Sequence, residues 1–331
     1  MMIKKSILIL FVIFQCFTSK AQDAHLSMYD AAPLFLNPAL TGVFKGNWRL
    51  HGQYRTQWKA VNFRPYQTGL ISFDMPLKKW GFGAQISNFR AGIGNFNSLQ
   101  GTVSAAYTTA IDRRKNNNIS FGIQGGVTQK TIEYKLLSYN NQYTTTNGGE
   151  FNQTIDAQES FAGQSLLTPV LNAGFMYFYA KQESRLNPFI GISAFNLTSP
   201  QETFFDQDNR LPIRYYAHAG SRINITELLY IIPKVLVMQQ EEFWEQSYAI
   251  DAGYYLKGSD MYLIGGVVYR ADDAMIASIG AKMENIVAKV GYDINVSSLS
   301  TASTGRGGFE ISVTYINQKK KPNTDKICPR L

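Results

Sequence analysis

The sequence predicts an all-β protein, a transmembrane antiparallel β-barrel of outer-membrane type with about 14 strands. Three observations point there. From residue 46 almost to the end, segments alternate apolar and polar side chains with the period of two that strands impose. The connections alternate between tight turns and long loops, the rim asymmetry of outer-membrane barrels. The chain also opens with the layout of a secretory leader.

That leader is MMIKKSILILFVIFQCFTSKAQ, residues 1–22, with Lys4 and Lys5 before the apolar run Ile7 to Phe14 and a small-residue exit at Ser19 to Ala21. The run is too short to span a membrane as a helix, which takes roughly 20 apolar residues. Cleavage is expected near Ala21 or Gln22. Cys16 follows Gln15, where a lipid-attachment site wants a small residue, so lipidation is not expected. Removing residues 1–22 takes away Lys4, Lys5 and Lys20 and no acid, lowering the formal charge from +8 to +5. Much of the remaining basicity sits in the tail at Lys319, Lys320, Lys321, Lys326 and Arg330. No recognition helix or Cys/His finger accompanies it, so nucleic acid is not an expected partner. Cys328 alone survives processing, which excludes an intramolecular disulfide framework.

A segment of 23–46 without strand character precedes the barrel, expected over 47–317. The first strand, 47–58, sets Trp48, Leu50, Tyr54 and Trp58 against Arg49, His51, Gln53, Arg55 and Gln57. The next, 65–76, ends in the tight link PLKKW and leads into 79–89, where Trp80, Phe82, Ala84 and Ile86 oppose Gly81, Gly83, Gln85 and Ser87. In 97–111, Leu99, Val103, Ala105 and Tyr107 oppose Gln100, Thr102 and Ser104; in 117–133, Ile119, Phe121 and Ile123 oppose Ser120, Gly122 and Gln124. Strands then follow at 168–180, 187–198, 212–225, 228–239, 245–257, 260–270, 274–284, 285–297 and 306–317. LYIIPKVLVMQQ, within 228–239 and just beyond, is apolar on both faces and carries Pro233, which calls for a bulge or a buried lumenal patch. In the last strand Phe309, Ile311, Val313 and Tyr315 form one row, and Glu310, Ser312 and Thr314 the other.

Short links such as KGSD and MENI alternate with long ones in 134–167, at SPQETFFDQDNRLP and at SSLSTASTGRG. An even strand count puts both termini at the short-turn rim, so 23–46 and the basic tail 318–331 are expected in the periplasm, with the turn-rich 23–46, punctuated by Pro33, Asn37, Pro38 and Gly42, able to fold against the lumen or the periplasmic rim. A soluble sandwich or propeller is disfavoured because the second faces, rich in Gly, Ser, Thr, Gln and Asn with isolated charges, are too polar for a dry core. Trp48, Trp58, Tyr179 and Tyr269 lie near strand ends, where interfacial girdles place aromatics.

Catalytic chemistry finds no support in the residues. His25, His51 and His218 lack any Ser/His/Asp, HExxH or Cys/His spacing, so neither catalytic residues nor a metal or other cofactor is expected. Asp206, Asp208 and Asn209 offer oxygen ligands without the glycine and distant glutamate of a calcium loop. Asn152, Asn196, Asn224 and Asn295 begin N-x-S/T triplets, common by chance in such a composition. Charges on the polar faces are the most informative feature: Arg49, Arg55, Arg214, Arg222, Lys289, Asp251, Asp293 and Glu310 are expected in the lumen, with Glu310 near Arg49 or Arg55. Filling the lumen with ion pairs, lining a channel and gripping a partner are all compatible with them.

The segment DAHLSMYDAAPLFLNPALTGVFKG, residues 23–46, carries a resemblance. With Gln22 and Asp23, Tyr29, and Asn37, Pro38, Ala39 and Gly42, it is similar to the start of the PorP/SprF family of type IX secretion membrane proteins of Bacteroidota. Leu40 and Thr41 stand where Tyr and Ala are usual. YRTQW at 54–58 resembles the family's first-strand motif, and WGFGAQISN, YDINVSSLS, GGFEISVTY and the terminal CPRL match its style. The resemblance implies a non-enzymatic outer-membrane barrel of type IX secretion and gliding, supporting export or surface attachment of an adhesin-type protein. Implied partners are the C-terminal domain of that protein, periplasmic or peptidoglycan-linked type IX components, and outer-membrane lipid. Asn37, Pro38 and Gly42, with Cys328, Pro329 and Arg330 of the tail, are the expected partner contacts. The alternative is a diffusion channel or solute transporter; a lipid-modifying barrel enzyme lacks a catalytic constellation.

Overall fold

The computed structural model describes residues 25–57, 65–145, 149–158, 165–181, 184–204, 209–297 and 305–318. Its fourteen barrel strands among the described residues are β1 Trp48–Gln57, β2 Tyr66–Leu77, β3 Trp80–Ala91, β4 Phe96–Ala110, β5 Asn117–Thr131, β6 Ser165–Tyr179 and β7 Leu186–Phe195, then β8 Arg214–Asn224, β9 Leu229–Gln240, β10 Phe243–Leu256, β11 Met261–Arg270, β12 Ala274–Met283, β13 Ile286–Asn295 and β14 Arg306–Asn317. Each pairs with its sequence neighbours, and β1 pairs antiparallel with β14 from Trp48↔Asn317 to Gln57↔Gly308, closing the barrel. Closure leaves no sheet edge, the condition for strands to cross a hydrocarbon layer.

The alternation read from sequence decides which way each face points. Ile71, Val103, Ile123 and Ile279 are 63–67% exposed on the outer surface, where lipid rather than water is their natural solvent. In β14, Phe309, Ile311 and Val313 face out, while Glu310 and Ser312 are buried. Trp48 lies 5.1 Å from the Tyr315 ring and Trp80 lies 5.0 Å from that of Tyr107, an aromatic band along the short-turn rim. The aromatic expectation at Trp58 lies outside the described residues.

Strand ends shift for local reasons. β6 begins at Ser165 rather than 168 because its ladder with β5 runs to Thr131↔Ser165. β7 stops at Phe195 because Asn196 takes a left-handed φ of 60° and donates its N–H to Asn172 Oδ1 at 3.0 Å. At Pro233 the register between β8 and β9 is unchanged and only the pairing lapses, since proline has no N–H to give. The second apolar face of that strand is a buried lumenal patch: Leu236 and Met238 pack with Phe195, Tyr216, Val268 and Ile276. Beyond the barrel strands, Tyr143–Thr144 pairs with Glu150–Phe151 in the long β5–β6 connection.

Of the two placements open to the segment preceding β1, the lumen and the periplasmic rim, it takes the lumen. Residues 25–44 run inside the barrel rather than beyond its rim, and many of the lumenal charges bond to this segment.

Candidate functional site

The N-terminal segment is a chain of tight turns because its sequence permits nothing longer. Tyr29–Ala31 forms a 3-10 turn, Pro33–Leu36 one helical turn and Pro38–Leu40 a second 3-10 turn. Each proline stands at the start of its turn, where a fixed φ helps and no N–H is needed. Asn37 caps the last turn, its Oδ1 accepting from Ala39 N–H at 2.9 Å. The segment descends through the lumen against the chain direction of β1: the His25 carbonyl accepts from Arg55, Met28 meets Gln53, and Leu40 meets Arg49. Residue 25 therefore lies toward the long-loop rim, and residue 47 at the short-turn rim.

The lower half, residues 34–42, is seated on glycines. A Cβ on Gly122 would overlap the Pro38 carbonyl, one on Gly174 the Asn37 side chain, and one on Gly81 the Thr41 carbonyl. These glycines hold lumenal positions on β5, β6 and β3, so the wall is thinned where the segment presses on it. Asn37 is fully buried, its Nδ2 within 3.2 Å of Phe175 O, Ile192 O and His218 Nε2. Ser193 Oγ donates to Leu36 O and Ser120 Oγ to Ala39 O, at 2.9 and 2.8 Å. At the exit, Gly42 takes a φ of +72° and donates to Asp74 Oδ2 at 2.7 Å. Arg49 holds the same carboxylate through two bonds of 2.9 and 2.6 Å, the bidentate geometry that suits guanidinium.

Charges hold the upper half, residues 25–31. Glu310 accepts the backbone N–H groups of Ser27 and Met28 at 2.8 and 3.1 Å, and Ser27 Oγ donates to Asp293 at 2.6 Å. Arg55 completes the cluster, 2.7 Å from Asp293 and 3.5 Å from Glu310. Of the two arginines expected near Glu310, Arg55 is its partner. A register shift between β13 and β14 at Tyr292/Ile294 flanks Asp293, the kind of irregularity that re-aims a side chain. A second cluster spans β9, β10 and β13: Lys234 binds Asp30 at 2.5 Å and Asp251 at 2.8 Å, and Lys289 binds Asp251 at 3.1 Å. Burial alone would raise the Asp30 carboxyl; the Lys234 and Lys289 ammoniums more than reverse this and hold it well below the usual carboxylate range. Burial, with Arg270, Arg55 and Arg214 nearby, holds the His25 imidazole well below its ordinary value, so it is neutral near pH 7.

The other residues singled out from sequence are placed as follows. Arg214 lies 5.2 Å over the rings of Phe195 and Tyr216, and Arg222 lies 3.8 Å over Tyr230. His51 bridges Thr314 and Gln53 at 2.8 and 2.9 Å. Asn37, Pro38 and Gly42 are engaged inside the barrel, so a partner could reach them only if the segment left its seat. Cys328, Pro329 and Arg330, like Asp206 and Asp208, lie outside the described residues. Among the described residues no group of three or more His, Cys, Asp or Glu side chains gathers as metal ligands do. Sequence reasoning missed Ser27, Asp30, Asp74 and Lys234, and it read the lumenal glycines only as face residues. Their recurrence on several strands was the available signal that something approaches the wall closely.

Above the segment, toward the long-loop rim, lies a cavity of about 1720 Å³ with His25 and Phe35 among its lining residues. Its walls differ. Tyr66, Phe89 and Phe96 form an aromatic row, with ring centroids 6.0 and 6.3 Å apart. The facing wall carries Arg214, Arg270, Glu241, Glu245 and Asp272.

Comparison with known proteins separates fold from family. The barrel is similar to the CymD monoaromatic hydrocarbon channel, with a TM-score of 0.51, 12% identity, and 88% of this chain and 94% of that one covered. It is similar to the Ralstonia pickettii toluene transporter TbuX, with a TM-score of 0.50, 10% identity, and 87% and 94% covered. At such identities the likeness concerns the fold alone. No curated protein matches the sequence. A family model described as type IX secretion system membrane protein PorP/SprF matches residues 18–315, a span that takes in the lumenal segment and almost all of the barrel. The chain belongs to the PorP/SprF family of type IX secretion membrane proteins, whose closed, outwardly apolar barrel fits the outer membrane.

Proposed function

We propose that the protein is a non-enzymatic outer-membrane platform that binds a secreted adhesin-type protein and supports its export or surface attachment, with a lumen built to stay shut. The observation that carries this reading is the buried N-terminal segment. Its turns are tied by hydrogen bonds to β1, β2, β5, β7, β9 and β14 across the lumen. Each buried ion pair costs desolvation that only close partners offset, and here those partners fix the segment across the lumen. In this reading the long-loop rim faces outward and meets the secreted partner through its C-terminal domain. The short-turn rim and the chain beyond 318 face periplasmic or peptidoglycan-linked components of the machinery, and gliding depends on the adhesin so displayed.

Purification from native membranes tests the reading, with co-isolation of an adhesin C-terminal domain or a periplasmic component as the expected result. In planar bilayers the full chain is expected to be silent, and a chain lacking residues 23–46 to conduct. A full-length barrel that conducts at rest would favour a channel, and a deletion strain that displays all its surface adhesins would refute the role in export.

A further inference from the structure

We infer that the cavity above the N-terminal segment is a docking site for an extended polypeptide segment carrying aromatic or large apolar side chains beside Lys or Arg. The inference rests on the partner-binding reading and names the chemistry of the segment that this end of the barrel accepts.

Size comes first. At about 1720 Å³ the cavity exceeds the roughly 300–1,000 Å³ of small-molecule sites and suits a stretch of polymer. Its floor is closed by Phe35 and His25, so a segment entering from the long-loop rim stops there and does not thread the barrel.

The walls supply the chemistry. On one side Phe35, Tyr66, Phe89 and Phe96 offer an aromatic surface, the residue types that carry binding energy at protein interfaces. Cations lining the cavity are engaged: Lys130, on β5 beside the aromatic wall, with Glu202, and on the facing wall Arg270 with Asp273 and Asp293 and Arg214 over the rings of Phe195 and Tyr216. Glu241 and Asp272, at the tips of the β9–β10 and β11–β12 turns, are exposed and have no ion-pair partner among the described residues. The lip is thus left negative above a pocket with one aromatic wall. Complementarity selects a segment whose basic side chains meet the turn tips while its apolar ones reach the aromatic wall.

The test uses the full mature chain in nanodiscs of phosphatidylcholine, with empty nanodiscs as reference. The probe is a fluorescent ten-residue peptide alternating Lys, Phe and Gly; its counterpart has Glu for every Lys. Saturable binding is expected, at least about tenfold tighter than for the Glu peptide, and weakened about tenfold both in Glu241→Gln/Asp272→Asn and in Phe89→Ala. The turn variants change exposed tips only and test the lip even if Phe89→Ala fails to fold. Equal affinity for the two peptides, unchanged affinity in the turn variants, or displacement by a neutral oligosaccharide such as maltoheptaose would overturn the proposal, the last in favour of a glycan site. Co-isolation from native membranes keeps the two readings apart. A partner retained at wild-type level by Glu241→Gln/Asp272→Asn/Phe89→Ala refutes the cavity while leaving partner binding intact, and a wild-type barrel that retains no partner refutes partner binding itself.

Discussion

Residues 25–31 and residues 34–42 share one lumen but are held by different means. The first are gripped by Glu310, Asp293, Arg55 and Lys234, charges that reach the backbone or the ends of side chains. The second lie against wall positions without side chains, at Gly81, Gly122 and Gly174, with hydroxyls, Asn37 and, at the exit alone, the Arg49–Asp74 pair bonding to them. Ion pairs hold at a distance and respond to protonation. Close packing holds only at contact and responds to volume. A barrel that uses both fastens its segment against two independent disturbances, leaving the upper half the more open to adjustment by pH or by a ligand in the cavity above it.

The largest effect is expected from Arg55→Leu, which leaves Glu310 buried without a cation and Asp293 with Arg270 alone, at 3.5 Å. Breaking a buried pair from one side costs about 3–5 kcal/mol, so hydrogen exchange of residues 26–31 should rise steeply while that of 37–42 stays slow. Equal loosening of both halves would show that the segment docks as one unit and that the contrast is only geometric.

Gly122→Val should act in reverse. Its side chain meets the Pro38 carbonyl, and overpacking of this kind costs about 1–3 kcal/mol. Residues 37–42 should exchange faster, with Asp74 and Arg49 freed at the exit, while the upper half keeps its protection. Asn37→Ala, which removes the amide beneath Phe175 O, Ile192 O and His218, should cost about 1–3 kcal/mol in the same exchange measurement.

The smallest effect concerns pH. His25 titrates lower when docked than when free, so the free segment binds a proton first as pH falls, and docking weakens below the free value of about 6.5 by at most about 1.4 kcal/mol per pH unit. Arg55, Arg214, Arg270 and, at 3.8 Å, Glu245 surround this group. Proteolysis near residue 25 should therefore increase between pH 7 and pH 5, and His25→Gln should flatten that slope. Asp30, held low by Lys234 and Lys289, contributes stability that is complete above the free carboxyl value of about 4 and is lost only at more acid pH. An increase that persists in His25→Gln would place the titration on another group.

Much of the barrel was legible because a strand writes its two faces into alternate residues. Leu50 and Tyr54 face out while Arg49 and Arg55 face in, and Phe309 and Ile311 face out while Glu310 faces in, so one rule orients strands that meet only at the seam. The tight turns at 78–79 and 284–285 against the long connection at 132–164 were equally readable from length and composition. The lumenal segment was not. Its prolines and Asn37 announce turns but not their address, and a lumenal Arg looks the same in sequence whether it faces water, a partner or the chain's own backbone.

The sequence by itself determined a closed barrel, its strand number and the sign of each face, because these follow from period, length and local turn chemistry; the expected leader, residues 1–22, lies outside the described residues. Only the tertiary structure decided that the lumen is filled from within. That outcome depends on pairs such as Ser27 with Glu310 and Pro38 with Gly122, residues far apart in the chain whose meeting no local pattern records.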